Sequence, residues 1–195
     1  MRKRLVLSII ALALSMSVGV ELASAQGRGG GRGGGRGGFA IASTFILSSP
    51  AFEDGGIVPQ MYAGRGGNVS PALNWTGAPE GTESFAIIFH DLDVAVNDTD
   101  DVLHWMLWNI PGNATGLPEG AVPDGTVQGV GITGQAAYFG PGAPASDKYH
   151  HYVFEVYALN SMLDLPATAT RADLLAAMSG GKVLGKAAYV GRYHQ

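Results

Sequence analysis

The sequence predicts a β-rich sandwich with one small helical element near its C-terminus, and three observations carry that prediction. The longest patterned runs either alternate apolar and polar residues with a period of two or are apolar on both faces. Clusters of Gly, Pro, Asn and Asp separate them, as turns require. Only one segment combines helix-start and helix-stop signals. Packed layers of strands around one core satisfy such a pattern.

Taken in chain order, MRKR (1–4) is a basic region, LVLSIIALALSMSVGV (5–20) an apolar one and ASA (23–25) a small-residue cleavage pattern. Residues 1–25 therefore read as a secretory signal peptide cut after Ala25, and the protein is expected to be secreted or periplasmic. The apolar core is short for a membrane span, and no Cys follows it to take a lipid, so no stable membrane insertion is expected after cleavage. Residues 26–38, with the repeat GRGGGRGGGRGG, have nothing to bury and read as a flexible linker. The folded domain is expected over 39–195.

Within it, STFILSS (43–49), ALNWT (72–76) and TVQGVGI (126–132) are short strand candidates. SFAIIFH (84–90) alternates, with Phe85, Ile87 and Phe89 on one face and Ala86, Ile88 and His90 on the other. VLHWMLWNI (102–110) is apolar on both faces, as in an inner strand between two layers. HYVFEVYAL (151–159) is β-branched and aromatic, and KVLGKAAYVGRY (182–193) is assigned as strand. The helix begins at Thr170 as N-cap with Asp173 at its positive end. Leu174, Leu175 and Met178 form its apolar stripe, and Gly180–Gly181 ends it.

Composition excludes several classes of function. With 46% hydrophobic and 14% charged residues in 195, the chain is not a disordered one. A domain of about 155 residues without Cys rests on its core, not on disulfides, and holds no thiolate metal site. Residues 39–195 carry six Lys/Arg against fifteen Asp/Glu, a net charge of −9, so nucleic acid is not an expected partner.

The acidic run DLDVAVNDTDD (91–101) fails as an EF-hand, because Ala95, Val96 and Val102 stand where an oxygen ligand, Gly and a bidentate Glu are needed. Asp98, Asp100 and Asp101 are then expected in a solvated loop. There is no G-x-S-x-G elbow and no H-E-x-x-H, and Ser70 in NVSP follows no strand–turn–helix pattern. By parity, His104 shares a face with Val102, Met106 and Trp108, and His150 shares one with Tyr152, Phe154 and Val156. Such His residues are commonly core residues satisfied by one hydrogen bond. Near Asp91, however, two imidazoles form an alternative: the carboxylate favours protonated imidazole, Tyr152 adds a hydroxyl and GPGAP (140–144) adds backbone N–H groups. That set suits a small oxyanion such as phosphate or carboxylate.

The chain also resembles the phosphatidylethanolamine-binding proteins, in particular their bacterial, Raf-kinase-inhibitor-like branch. The resemblance spans 43–193 and includes GGNVSPALNWTGAPEGTESFAIIFHDLDV (66–94), LHWMLWNIPG (103–112), GPGAP (140–144) and YHHYVFEVYAL (149–159). It implies an antiparallel β-sandwich with a few short peripheral helices and a small anion pocket. It carries the pocket's ligand-binding roles to Asp91, His104, Gly140, Gly142, Pro144, His150 and Tyr152. Leu92 and Ala143 stand where the family has Pro, and His151 where it has Arg.

The expected function is a non-enzymatic binding protein for a small anion or a phosphorylated headgroup, without a cofactor. Asp91 would orient the imidazoles, and His104 and His150 would donate to the oxyanion. The alternatives are a protein-interaction module such as a protease inhibitor and, third, an enzyme using Asp91, His104 and His150 as an iron facial triad. His90 is expected to be structural or exposed, and Asp93 to brace the turn.

Overall fold

The computed structural model describes residues 44–146 and 148–195. The expected signal peptide (1–25) and Gly/Arg linker (26–38) lie outside the described residues. The strands are β1 (Ile46–Ser48), β2 (Gly56–Ile57), β3 (Leu73–Thr76), β4 (Ser84–Val96), β5 (Asp100–Pro111), β6 (Gly116–Leu117), β7 (Val127–Gly129), β8 (His150–Leu159) and β9 (Val183–Tyr193). They form a six-stranded sheet ordered β2-β9-β8-β4-β5-β7 and a three-stranded sheet ordered β1-β3-β6. All pairs are antiparallel except the short β2–β9 edge, which is parallel.

The period-two pattern of β4 explains the layering. Phe85, Ile87 and Phe89 face the small sheet, where they pack with Phe45, Leu47, Leu73 and Trp75. Ala86 and Ile88 face the other way and pack with Met106, Trp108 and the helix residues Leu174 and Met178. The large sheet is thus covered on both faces, which is why Ser84–Asp91 is buried throughout. Removing a side chain such as Phe89 from this core would cost about 3–5 kcal/mol.

The helix α1 (Arg171–Met178) starts as its sequence dictates. Thr170 accepts from the Asp173 N–H at 3.2 Å and Asp173 accepts from the Thr170 N–H at 2.9 Å, a reciprocal capping box. Gly180 and Gly181 follow with positive φ. Leu175 departs from the expected stripe: it is 44% exposed, because eight residues bury only Leu174 and Met178. A three-residue 3-10 turn, Gln60–Tyr62, is the other helical element among the described residues. None of these helices is long and apolar enough to cross a membrane.

The acidic run is not one solvated loop. β4 continues to Val96, a turn with positive φ at Asn97 and Asp98 reverses the chain, and β5 begins at Asp100. Asp101 is withdrawn from solvent between His90 and Arg171. Its burial opposes ionisation, but these two partners outweigh that and hold its carboxyl below the usual range. His90 is 5% exposed, so it is structural and not exposed.

Parity fails in β5. Phe89 pairs with Trp105 while His90 pairs with Leu103, so His104 is an extra residue, a β-bulge. A second shift lies beyond Leu107, where Asn109 takes φ 59° and exchanges two hydrogen bonds with Leu163. The first bulge turns His104 toward Phe89 and Tyr152, onto the side that Trp105 and Leu107 also face. Met106 and Trp108 belong to the opposite face. The expected grouping of His104 with Met106 and Trp108 is therefore corrected.

Candidate functional site

A cavity of about 190 Å³ opens where β4, β5 and β8 meet the segment that precedes β8. Asp91 ends the buried part of β4, His104 sits at the bulge of β5, and His150 and Tyr152 begin β8. Direct pairing of Asp91 with Tyr152 puts both side chains on the same sheet face. Phe139, Gly142, Ala143 and Pro144 supply the loop wall, and Val94, Val102 and Ile132 supply the apolar rim.

The polar groups converge. The His150 Nδ1 lies 2.8 Å from the Asp91 Oδ2, and the two residues are 8% and 3% exposed. The other Asp91 oxygen accepts from the Asp93 N–H at 2.9 Å. The His104 Nδ1 lies 2.9 Å from the Phe139 carbonyl, which can only accept, so this nitrogen carries the ring proton. Phe139 stacks on the His104 ring at 5.7 Å, and Tyr152 meets it edge-on at 5.2 Å. Burial pushes the His104 pKa down, only partly offset by the Phe139 carbonyl and the Asp91 charge. The expected donation from the His104 Nε2 to an oxyanion requires a second ring proton, which this burial opposes. Burial and the Asp91 carboxylate push the Tyr152 phenol up, so it stays protonated, and its oxygen accepts from the Gly142 N–H at 3.3 Å.

Six of the seven sequence-derived site residues line this cavity: Asp91, His104, Gly142, Pro144, His150 and Tyr152. Gly140 does not. It packs behind the wall, where a Cβ would stand 1.9 Å from the Tyr62 carbonyl oxygen. Its N–H donates to the Asn68 Oδ1 at 2.9 Å, and Asn68 takes φ 52° to reach it. Asn68 and Phe139 are thus positioning residues that side-chain chemistry alone did not reveal. The N-x-S-P motif held the signal for the first, since Asn tolerates positive φ.

The residues that depart from the family pattern lie around this frame. Ala143 is buried in the wall, and Leu92 is 53% exposed. His151 turns away from the cavity: its N–H and its Nδ1 both meet the Asp93 Oδ2, at 2.7 and 2.8 Å, with Lys148 at 3.1 Å from the other oxygen. Burial opposes ionisation of Asp93, but His151 and Lys148 outweigh it and hold its pKa at about 2. Asp93 therefore braces the outer edge of the site.

Among the described residues, no group of three or more His, Asp or Glu is placed to hold a metal ion. A larger cavity of about 410 Å³ lies beside Trp105 and Tyr138. Its only titratable lining group is Tyr138, whose hydroxyl donates to the Tyr62 carbonyl. Of these two cavities, the smaller one holds the carboxylate and the imidazoles.

Comparison with known proteins agrees with this frame. The family model described as phosphatidylethanolamine-binding protein matches residues 48–194. The chain belongs to the phosphatidylethanolamine-binding protein family. A UPF0098 protein of Methanothermobacter thermautotrophicus is 40% identical over 154 residues, covering 76% of this chain and 98% of that one. LppC of Mycobacterium tuberculosis, named a lipoprotein, is 32% identical over 152 residues, covering 78% and 73%. The crystal structure of Escherichia coli YbcL, titled as a member of the mammalian family, superposes with a TM-score of 0.71 at 32% identity, covering 78% of this chain and 99% of YbcL. The antiparallel sandwich expected of a phosphatidylethanolamine-binding protein is the fold of this domain.

Proposed function

We propose that this family member is an exported, non-enzymatic binding protein whose cavity takes a small oxyanion: phosphate, carboxylate or a phosphorylated headgroup. One observation carries the reading. Asp91, His104, His150 and Tyr152, spread over 62 positions of sequence, converge on one cavity of about 190 Å³, smaller than the pockets that take drug-sized ligands. The bridged Asp91–His150 pair holds one imidazole in a fixed orientation, and the stacked Phe139 holds the other. The signal-like N-terminus and the lipoprotein name of a relative support export.

Calorimetric titration of the purified protein with phosphate, acetate and O-phosphoethanolamine tests the reading. Saturable binding is expected, weakened about tenfold or more in folded Asp91→Ala and His104→Ala. Binding equal to wild type in both variants would sink it. A protein-interaction role is favoured by the exposed Val96, Val130 and Ile132, which line one cavity with Val102 and Leu103; Val102 and Ile132 also line the Asp91 cavity. That second reading is preferred if a partner captured by the wild type is also captured by Asp91→Ala, and discarded if the pocket variant loses it.

A further inference from the structure

The larger cavity, of about 410 Å³, falls within the range of small-molecule sites, about 300–1,000 Å³, and the anion-pocket reading makes no use of it. Segments far apart in sequence wall it through Ser70, Val122, Trp105, Gln128 and Tyr138. Contacts made outside it hold these walls apart. The Tyr138 hydroxyl donates to the Tyr62 carbonyl at 2.9 Å, while its ring stacks on Phe89 at 5.6 Å and meets Trp105 edge-on at 5.3 Å. The Gly120 N–H donates to the Ser70 carbonyl at 2.9 Å, which ties that turn to the N-x-S-P segment.

The unused side-chain groups of this lining can all donate. The Trp105 indole N–H can only donate, so the Gln128 atom that it meets at 2.9 Å is the amide oxygen. This contact fixes the amide orientation and leaves the Gln128 Nε2, with both its protons, without a partner among the described residues. Ser70 is 6% exposed, and among the described residues its hydroxyl has no partner either. Asn68 is already engaged, its Oδ1 by the Gly140 N–H and its Nδ2 by the Tyr138 carbonyl.

The same lining offers no charge to match a charged ligand. Burial pushes the Tyr138 phenol up, so it stays neutral. Glu119 and Asp124, on the neighbouring turns, are exposed and do not line the cavity, and the Glu119 carboxylate takes the Tyr62 hydroxyl at 2.7 Å. A carboxylate or an ammonium bound here would lose water with no opposite charge to replace it. An uncharged amide would not, because Gln128 and Ser70 replace the water on its polar atoms and Val69 and Val122 cover an adjoining apolar group.

We propose that this cavity is a second binding site, for a small uncharged amide with an apolar substituent. The amide oxygen accepts from the Gln128 Nε2, and the Ser70 hydroxyl meets the other polar atom of the same molecule.

Probes that share one skeleton and differ in charge test the proposal on the full chain. At about pH 6.5, N-acetylvalinamide is neutral, N-acetylvaline is an anion and valinamide is a cation. Affinities are read by NMR from the side-chain N–H signals of Gln128 and Trp105, which report this cavity and not the one around Asp91. The neutral probe is expected to move both signals and to bind about tenfold or more tightly than either charged one. Gln128→Glu keeps an acceptor for the Trp105 N–H but removes the Nε2 donors. It should weaken the neutral probe about tenfold or more, read from the Trp105 signal. Ser70→Ala should weaken it about two- to tenfold. Equal affinities for the three probes, no shift of either signal with the neutral one, or affinities unchanged in both variants would overturn the proposal.

Discussion

Replacing Asp91 by Ala is the perturbation whose outcome the structure defines best. The carboxylate is 3% exposed and sits between the His150 Nδ1 at 2.8 Å and the Asp93 N–H at 2.9 Å. Alanine leaves the imidazole and the N–H without their acceptor in a site too enclosed to hydrate both well. Each of these two donors, left without a buried acceptor, costs about 1–3 kcal/mol. A loss of about 2–6 kcal/mol in unfolding free energy is therefore expected. Urea denaturation followed through the fluorescence of Trp75, Trp105 and Trp108 measures it, with the midpoint falling and the slope unchanged. Asp164→Ala, exposed and outside the positive-φ positions, is the control and should stay within about 0.5 kcal/mol of wild type. His150→Ala in the Asp91→Ala background should cost less than in the wild type, since the partner is already gone; the coupling expected of a contacting pair is about 0.5–3 kcal/mol. An Asp91→Ala protein within about 0.5 kcal/mol of wild type would refute the argument, because the pair would then contribute nothing to folding.

Two further outcomes follow from neighbouring residues. Asp93 is held at about 2, below its ordinary 3.8, so its contribution to stability is present above that ordinary value and lost as pH falls toward 2. Asp93→Asn should flatten the urea midpoint against pH between those limits, and superimposable profiles for the two proteins would show that the His151 and Lys148 contacts are not formed in solution. Gly140→Ala should cost about 1–3 kcal/mol or more, because its Cβ would meet a carbonyl oxygen at 1.9 Å, whereas Gly142→Ala meets only the Phe139 ring at 3.7 Å and should be tolerated. Equal melting temperatures for the two variants would contradict the close approach of the loop to Tyr62.

The difference between Gly140 and Gly142 also shows where the reading of the sequence stops. Both stand in GPGAP and look alike as small residues in a loop, yet one is pressed on the Tyr62–Gly64 backbone and the other faces the cavity. Only long-range packing separates them. The strands were legible because their signals are local: the alternation of 84–90 and 151–159 is a property of consecutive residues, and it returns as β4 and β8 with the expected faces. The helix was legible for the same reason, since Thr170 and Asp173 bond to each other three residues apart.

By itself the sequence determined the β-rich class, the capped helix, the place of Asp91 at the end of an apolar run and the common face of His150 and Tyr152, because each depends on a period or a spacing along the chain. The tertiary structure alone decided the rest. A bulge opposite the Phe89–His90 step turns His104 out of its parity and into the cavity. A carbonyl 35 positions away fixes its tautomer. Arg171, 70 positions away, helps draw Asp101 out of the solvated run where its neighbours Asp98 and Asp100 remain exposed. Pairing register and contacts between distant segments are set by the free energy of the packed whole, and the period of an isolated strand does not encode them.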